Sequence, residues 1–366
     1  MSNSRQLDLK NPRDFEIYAM DNFDCLYMGR VEAISTDGRS ISDPERTTDT
    51  WRSLPSCVIQ LANTAMGFPL ALSKRVNWKA AFDETCWMMR GETNINTLNS
   101  KIWDEWADEN GECGPIYGAM WRRWPDVKVF PSSDEMAKLS IAEQTRYTLE
   151  MQRLLKRGAK STVLPDGRVL WESEIDQLLE VLNAVNARSR SRRIHVQTFN
   201  PAYLGMQALP PCHTAFEFNV MPATEYENAV MRAGKGEAFE DTLHISVQMR
   251  SSDTLLGFPF NMAGYCMMLH LFAKYCNLNV GSITIDTTNT HVYDHHWDAL
   301  KTQAQQFAEL REEVLTTGNP MQYPLLEIDP IIHTWTPEEL LNNVSADLFT
   351  INGYNPKGAV KGRVTK

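Results

Sequence analysis

The chain has 366 residues, enough for one large domain or two small ones, and its 43% hydrophobic content allows a substantial core. A formal net charge of −10 excludes a generally basic, nucleic-acid-binding surface, so any anion site must gather its arginines locally. The seven cysteines include no C-x-x-C pair, which argues against a disulfide framework or structural zinc and for a reducing cytosol. Residues 1–20 lack a signal-type apolar core, and no run approaches the ~18 apolar residues of a membrane span, so a cytoplasmic protein is expected.

Residues 1–45 read as a polar lead-in, with 1–40 as an N-terminal extension and a short helix or strand at 23–31. A loop at 43–48 carries Arg46. Helical periodicity runs over 76–90, where Ala81, Phe82, Thr85, Cys86 and Met89 recur at three and four residues and Gly91 stops the pattern. Glu84 sits within that apolar stretch. It is either an exposed helix carboxylate or one whose pKa is raised by burial, which suits proton handling near neutrality. Trp103 and Trp106 lie three apart and offer flat faces for stacking on an aromatic ligand or for core packing. Residues 134–157 read as an amphipathic helix and 164–169 as a turn or hairpin; 125–173 is taken as a surface insertion. Another helix is expected at 173–186.

Arg188, Arg190, Arg192 and Arg193 then cluster ahead of a strand at 194–199. In an acidic chain this is a candidate anion site; RNA binding and a solvated charge run are alternatives. Leu209-Pro210-Pro211-Cys212-His213 presents a thiol behind two prolines, which fix the backbone and remove N–H donors. A free thiol has a pKa near ~8.5, so nearby arginines would raise its thiolate fraction. Strand patterns follow at 214–221 and 242–250, separated by a polar loop at 222–241. Leu243, Ile245, Val247 and Met249 face one way, and the alternation gives Arg250 a route to both a phosphate and the cysteine sulfur. A buried helix is expected over 260–276 with Asn261 at its start. Strands at 280–287, leading to His291 and Tyr293, and at 347–351 complete the pattern. Helices and long strands without repeated βαβ units indicate an α+β fold.

Several motifs, in order, are similar to those of the thymidylate synthases and the related phage pyrimidine hydroxymethylases. They are Glu84 to Asn94, Ile102-Trp103-Asp104-Glu105-Trp106, Gly114-Pro115-Ile116-Tyr117-Gly118, Ser191-Arg192-Arg193, the Cys212 loop, Arg250 through Asn261, His291-Val292-Tyr293 and Gly353-Tyr354-Asn355-Pro356. The resemblance spans about Arg46 to the C-terminus. It implies one thymidylate-synthase-like domain over 1–366, with a large six-stranded mixed sheet, flanking helices and a sheet face that forms a homodimer interface. It implies one-carbon transfer from 5,10-methylenetetrahydrofolate, as co-substrate, to dUMP, without a metal.

In that resemblance Cys212 is the nucleophile, Glu84 and His213 handle protons, and Tyr117 orders water for removal of the carbon-5 proton. Arg46, Arg250, Ser251 and the partner subunit's Arg192 and Arg193 hold the phosphate. His291 and Tyr293 hold the sugar, and Asn261 reads the base. Trp103, Trp106, Asp253, Gly257 and Tyr354 border the folate. An amide at Asn261 both donates and accepts, matching uracil; deoxycytidylate relatives carry aspartate there. Met249, Asn289, Glu217 and the terminal Lys366 depart from the synthase pattern and tilt the expected product towards 5-hydroxymethyl-dUMP, with dTMP as the alternative. A dCMP hydroxymethylase and a non-catalytic nucleotide- or RNA-binding homologue are further alternatives; membrane and nucleic-acid partners are not expected.

Overall fold

A computed structural model describes residues 7–45, 47–234 and 236–365. Two helices open the chain, α1 (Pro12–Ala19) and α2 (Phe23–Asp37), each started by an asparagine side chain that accepts a first-turn N–H. β1 (Arg39–Ser42), β2 (Thr50–Leu61), α3 (Trp78–Met89) and α4 (Tyr117–Arg122) follow. The stretch read as a polar lead-in thus holds a fifteen-residue helix. Phe23 and Tyr27 of α2 stack at 5.8 Å in the main core, because the apolar side of α2 closes over the sheet.

Residues 124–175 form a unit with its own sheet. β3 (Trp124–Phe130), α5 (Ser133–Met136), α6 (Ile141–Lys156), β4 (Lys160–Val163) and β5 (Val169–Ile175) run in order, and the strands pair antiparallel as β3-β5-β4. Phe130, Leu154 and Trp171 make a separate small core. The expected single helix over 134–157 is two helices, since Ser140 and Glu143 form a reciprocal capping box that starts a new one. Similarly, 173–175 stay in β5, and Asp176 caps α7 (Gln177–Asn186).

The main sheet is built from β1, β2, β6 (His195–Gln197), β7 (His213–Pro222), β8 (Asp241–Met249) and β10 (Asn279–Tyr293). Its order is β1-β2-β10-β8-β7-β6, and the short β9 (Ser252–Asp253) also pairs with β10. β10 runs parallel to β8 and β9 while the other neighbours are antiparallel, so the sheet is mixed. α8 (Glu225–Ala233) occupies the expected loop at 222–241, started by a Thr224–Glu227 capping box. α9 (Gly257–Tyr275) is apolar all round and buried without a break from 262 to 273, and it covers one sheet face. The opposite face carries exposed Val58, Gln248 and Asp286. α10 (Trp297–Thr317), β11 (Leu325–Ile328), α11 (Pro337–Asn343) and β12 (Phe349–Asn352) finish the chain; α10 lies where the sequence patterns mark no element.

Candidate active site

Cys212 stands at the first end of β7, half-buried, where His213 pairs with Met249 at the last end of β8. Strand pairing therefore brings Arg250 to the cysteine. The Arg250 N–H donates to the Cys212 carbonyl at 2.9 Å. Its guanidinium folds back onto the loop, Nε donating to Pro211 O at 2.9 Å and Nη2 to Pro210 O at 2.7 Å, with Nη2 3.9 Å from the Cys212 Sγ. The prolines supply fixed carbonyls as well as rigidity. Thr288 Oγ1 and Asn289 Nδ2 each donate to Arg250 O at 3.0 Å. Asn289 has φ +47°, a left-handed conformation that asparagine tolerates better than most residues. The Cys212 N–H donates to the Tyr117 hydroxyl at 2.8 Å.

Beneath Cys212, the His213 ring is clamped from both sides. Asn261 Nδ2 lies 2.8 Å from Nε2 and the Tyr265 hydroxyl 3.1 Å from Nδ1. Burial pushes the His213 pKa down to about 3, so the ring is neutral at physiological pH. With Nε2 accepting from the amide, Nδ1 carries the proton and donates to Tyr265. Glu84 projects from α3 towards the same point and accepts from Trp103 Nε1 at 2.8 Å. Burial raises its pKa to about 7; the Trp103 bond opposes the shift and Asp83 adds to it. Glu84, Thr85, His213, Asn261 and Tyr265 share the lining of a cavity of about 10 Å³, the room of one water. Gly264 borders it because a Cβ there would stand 2.2 Å from Thr85 Oγ1. Trp103 is buried, with ring centroids 6.1 Å from Trp87, 5.6 Å from the half-buried Trp106 and 6.0 Å from Tyr117.

A second group lies along β9, β10 and the start of α9. Asp253 Oδ1 accepts the N–H groups of Leu255 at 2.8 Å and Leu256 at 3.2 Å, just ahead of Gly257, and faces His296 Nδ1 at 3.7 Å. His291 is buried, its Nδ1 2.9 Å from the Asn289 carbonyl; that carbonyl requires an N–H at Nδ1, so neutral Nε2 is an acceptor. Burial lowers the His291 pKa. Tyr293 lies edge-on to His291 at 4.9 Å. Nearby, a cavity of about 640 Å³ is lined by Lys74, Arg75, Lys79 and Lys361 and by the apolar Trp78, Leu256, Phe260 and Tyr354. The Tyr354 hydroxyl donates to Ala71 O at 2.8 Å and accepts from Val76 N at 2.9 Å, which ties the tail to this wall.

Other candidates lie apart. Arg192 and Arg193 are exposed at the far end of β6, where Ile194 O accepts from Phe218 N. At roughly 3.3 Å per strand residue, they are more than ~15 Å along β7 from Cys212 of their own protomer. Ser251 is half-buried beside Arg250. Arg46 and Lys366 lie outside the described residues. Tyr265 escaped the sequence reading; only its four-residue spacing from Asn261 on one helix face signals it. Lys74 also escaped it: buried, it donates to Leu255 O, and burial lowers its pKa to about 8.

The mixed sheet thus delivers a cysteine, an arginine and a clamped histidine to one region, with the Glu84 carboxyl nearby. The family-wide comparison gives the class: the chain belongs to the thymidylate synthase family, whose model matches residues 26–366. Thymidylate synthases of three Coxiella burnetii strains are each 29% identical over 305 residues, covering 82% of this chain and 86% of theirs. The protein is therefore a folate-dependent one-carbon transferase of the family acting at carbon 5 of dUMP, with methylenetetrahydrofolate as co-substrate. Among the described residues, no group of three or more His, Cys, Asp or Glu could hold a metal ion, and no helix is long and apolar enough to cross a membrane.

Proposed function

We propose that the protein converts dUMP to 5-hydroxymethyl-dUMP, with Cys212 as the covalent nucleophile. The observation that carries the chemistry is Arg250 beside the Cys212 sulfur, with Glu84, His213 and Asn261 gathered on one small cavity next to it in the chain. Cys212 Sγ adds to carbon 6, and the ring π electrons move onto the carbonyl oxygen at carbon 4, where protonated Glu84 supplies a proton through water. The Arg250 charge faces the attacking sulfur. Carbon 5 attacks the methylene group of the folate and displaces one of its two bonds to nitrogen; the second breaks when tetrahydrofolate leaves. A water held by the Tyr117 hydroxyl takes the carbon-5 proton; burial keeps that phenol protonated, so it orients rather than abstracts. Tetrahydrofolate then leaves an exocyclic methylene on the ring. Water adds there, and Cys212 departs as the carbon 5–carbon 6 double bond returns.

Asn261 pairs with the uracil N–H and carbonyl, a match that an aspartate would lose. His291 Nε2 accepts the sugar hydroxyl proton beside Tyr293. Arg250, Ser251, Arg46 and the partner subunit's Arg192 and Arg193 hold the phosphate, so a two-fold dimer completes the site; the open sheet face with Val58 and Asp286 suits that interface. The cavity of about 640 Å³, with its apolar wall, four cations and Tyr354, suits the aromatic and carboxylate parts of folate; the other folate candidates, Trp103, Trp106, Asp253 and Gly257, are not among its lining residues. Residues 125–173 are an insertion whose separate core lets it vary without disturbing this site, and 1–40 include an extension ahead of the family match.

The water-sized cavity beside Glu84 and the departures at Met249, Asn289 and Glu217 favour water over hydride as the final reactant. The named Coxiella relatives favour the second reading, transfer of hydride to yield dTMP and dihydrofolate. Product mass after incubation with dUMP and methylenetetrahydrofolate decides, with dihydrofolate followed optically. 5-Hydroxymethyl-dUMP without dihydrofolate is expected; dTMP with stoichiometric dihydrofolate overturns the hydroxymethyl reading, and turnover of dCMP alone overturns the role of Asn261.

A further inference from the structure

The last residues of the described chain are held by an ionic and hydrogen-bonded group that the proposed reaction does not use. Arg363 Nη2 pairs with Asp49 Oδ1, and the Thr365 hydroxyl donates to Asp49 Oδ2 at 2.9 Å. His295 Nδ1 stands 3.6 Å from the same carboxylate. The Arg363 carbonyl faces His296 Nε2 at 2.9 Å and His295 Nε2 at 3.4 Å. Because a carbonyl only accepts, His296 Nε2 carries the proton, which leaves Nδ1 towards Asp253. Gly362 makes the approach possible: a Cβ there would stand 2.8 Å from His296 Nε2 and 2.9 Å from Leu255. His295 stacks on Tyr293 with centroids 5.7 Å apart, so the group adjoins the sugar pair as well.

We infer that Asp49 and Arg363 form a latch that holds the C-terminal strap in place as one wall of the large cavity, with His295 and His296 as positioning residues. The strap from Tyr354 to Lys361 lines that cavity, and it is tied at its near end by Tyr354 and by Lys357 N donating to Leu72 O at 2.8 Å. Those bonds fix the start of the strap. Beyond Gly358, the Asp49–Arg363 group is what returns it to the body of the protein. Asp49 also stands three residues after Arg46 in the chain, so the latch joins the strap to the segment that carries a phosphate-binding candidate. Asp49 keeps 14% side-chain exposure and Arg363 keeps 60%, so the pair is solvent-facing and sensitive to salt. The consequence for catalysis rests on the reading of the cavity as the folate site.

The test uses the full-length protein and two readouts. Hydrogen–deuterium exchange of residues 355–365 without substrates reports the latch alone. Asp49→Asn and Arg363→Gln should each speed exchange there roughly twofold to fivefold, the upper range of an exposed ion pair, and the exchanged pair Asp49→Arg with Arg363→Asp should restore most of the protection. Unchanged exchange in the single variants, or a double variant as open as either, overturns the latch. The second readout is steady-state kinetics. The single variants should raise the KM for methylenetetrahydrofolate several-fold with little change in kcat or in dUMP affinity by calorimetry. A latch intact by exchange but silent in folate KM overturns its part in that cavity. Absence of any turnover with dUMP would sink the reaction proposed above while leaving the exchange result to decide the latch.

Discussion

The floor of the site and its rim are built by different physics. At the floor, His213 meets Asn261 and Tyr265, and Glu84 meets Trp103, through hydrogen bonds of 2.8–3.1 Å. At the rim, Asp49 and Arg363 carry charge in contact with solvent, as do Arg192 and Arg193, which the proposed dimer would bring to the neighbouring site. Buried polar groups cost free energy when a partner is removed, whereas exposed ion pairs contribute little each and are screened by salt. The floor is therefore suited to fixed tasks, holding a neutral imidazole and a carboxylic acid near neutrality. The rim is suited to opening and closing over substrate at small energetic cost. The unit at 124–175 is a third case, since its core of Phe130, Leu154 and Trp171 is not shared with either.

Substitutions at the floor should have the largest effects. Cys212→Ser should lower kcat by more than about a thousandfold, because a hydroxyl is a far weaker nucleophile than a thiol; a single-turnover assay that still traps a ring adduct would break the assignment. Asn261→Asp should cost roughly a hundredfold or more in kcat/KM for dUMP by setting an acceptor where the ring also presents one, and should open turnover of dCMP. Glu84→Gln should lower kcat by about a hundredfold, the usual scale of general acid catalysis. The pH profile sharpens that test: Glu84 with a pKa of about 7 is protonated below that pH and ionised above it, so the donor form is lost as pH rises. The wild-type rate should show an alkaline limb near pH 7 that Glu84→Gln abolishes.

Rim substitutions should be milder and should respond to salt. Arg192→Ala should raise the dUMP KM, and mixing it with Cys212→Ser should recover activity, since a heterodimer would hold one site with both intact residues. No recovery on mixing would place Arg192 outside the neighbouring site. Trp171→Ala should have the smallest effect on turnover, within about twofold, while destabilising the 124–175 unit by an amount on the order of 3–5 kcal/mol in denaturant unfolding. A matching loss of activity would join this unit to the site and erase the third term of the comparison.

Local pattern sufficed for much of this architecture. The alternation of Leu243, Ile245, Val247 and Met249 marks β8, and the unbroken apolar run marks α9, because strand and helix each bury a side at their own period. The motif around Cys212 and that ending in Asn261 announce the chemistry. Where patterns failed, caps and polar faces were responsible: the serine and threonine capping boxes of α5, α6 and α8 set helix starts that no apolar run marks, and α10 shows its buried side only at Leu300, Gln303 and Val314.

The sequence by itself therefore determined the fold class, the family and the kinds of groups present, since these follow from periodicity and short contiguous motifs. Tertiary structure alone decided which groups meet. Tyr265 reaches His213 across 52 residues, Arg250 reaches Cys212 across 38, and Arg363 reaches Asp49 across 314. No local period encodes such separations. They are set by strand pairing between β7 and β8, by packing of α9 against the sheet, and by the return of the C-terminal strap across the site.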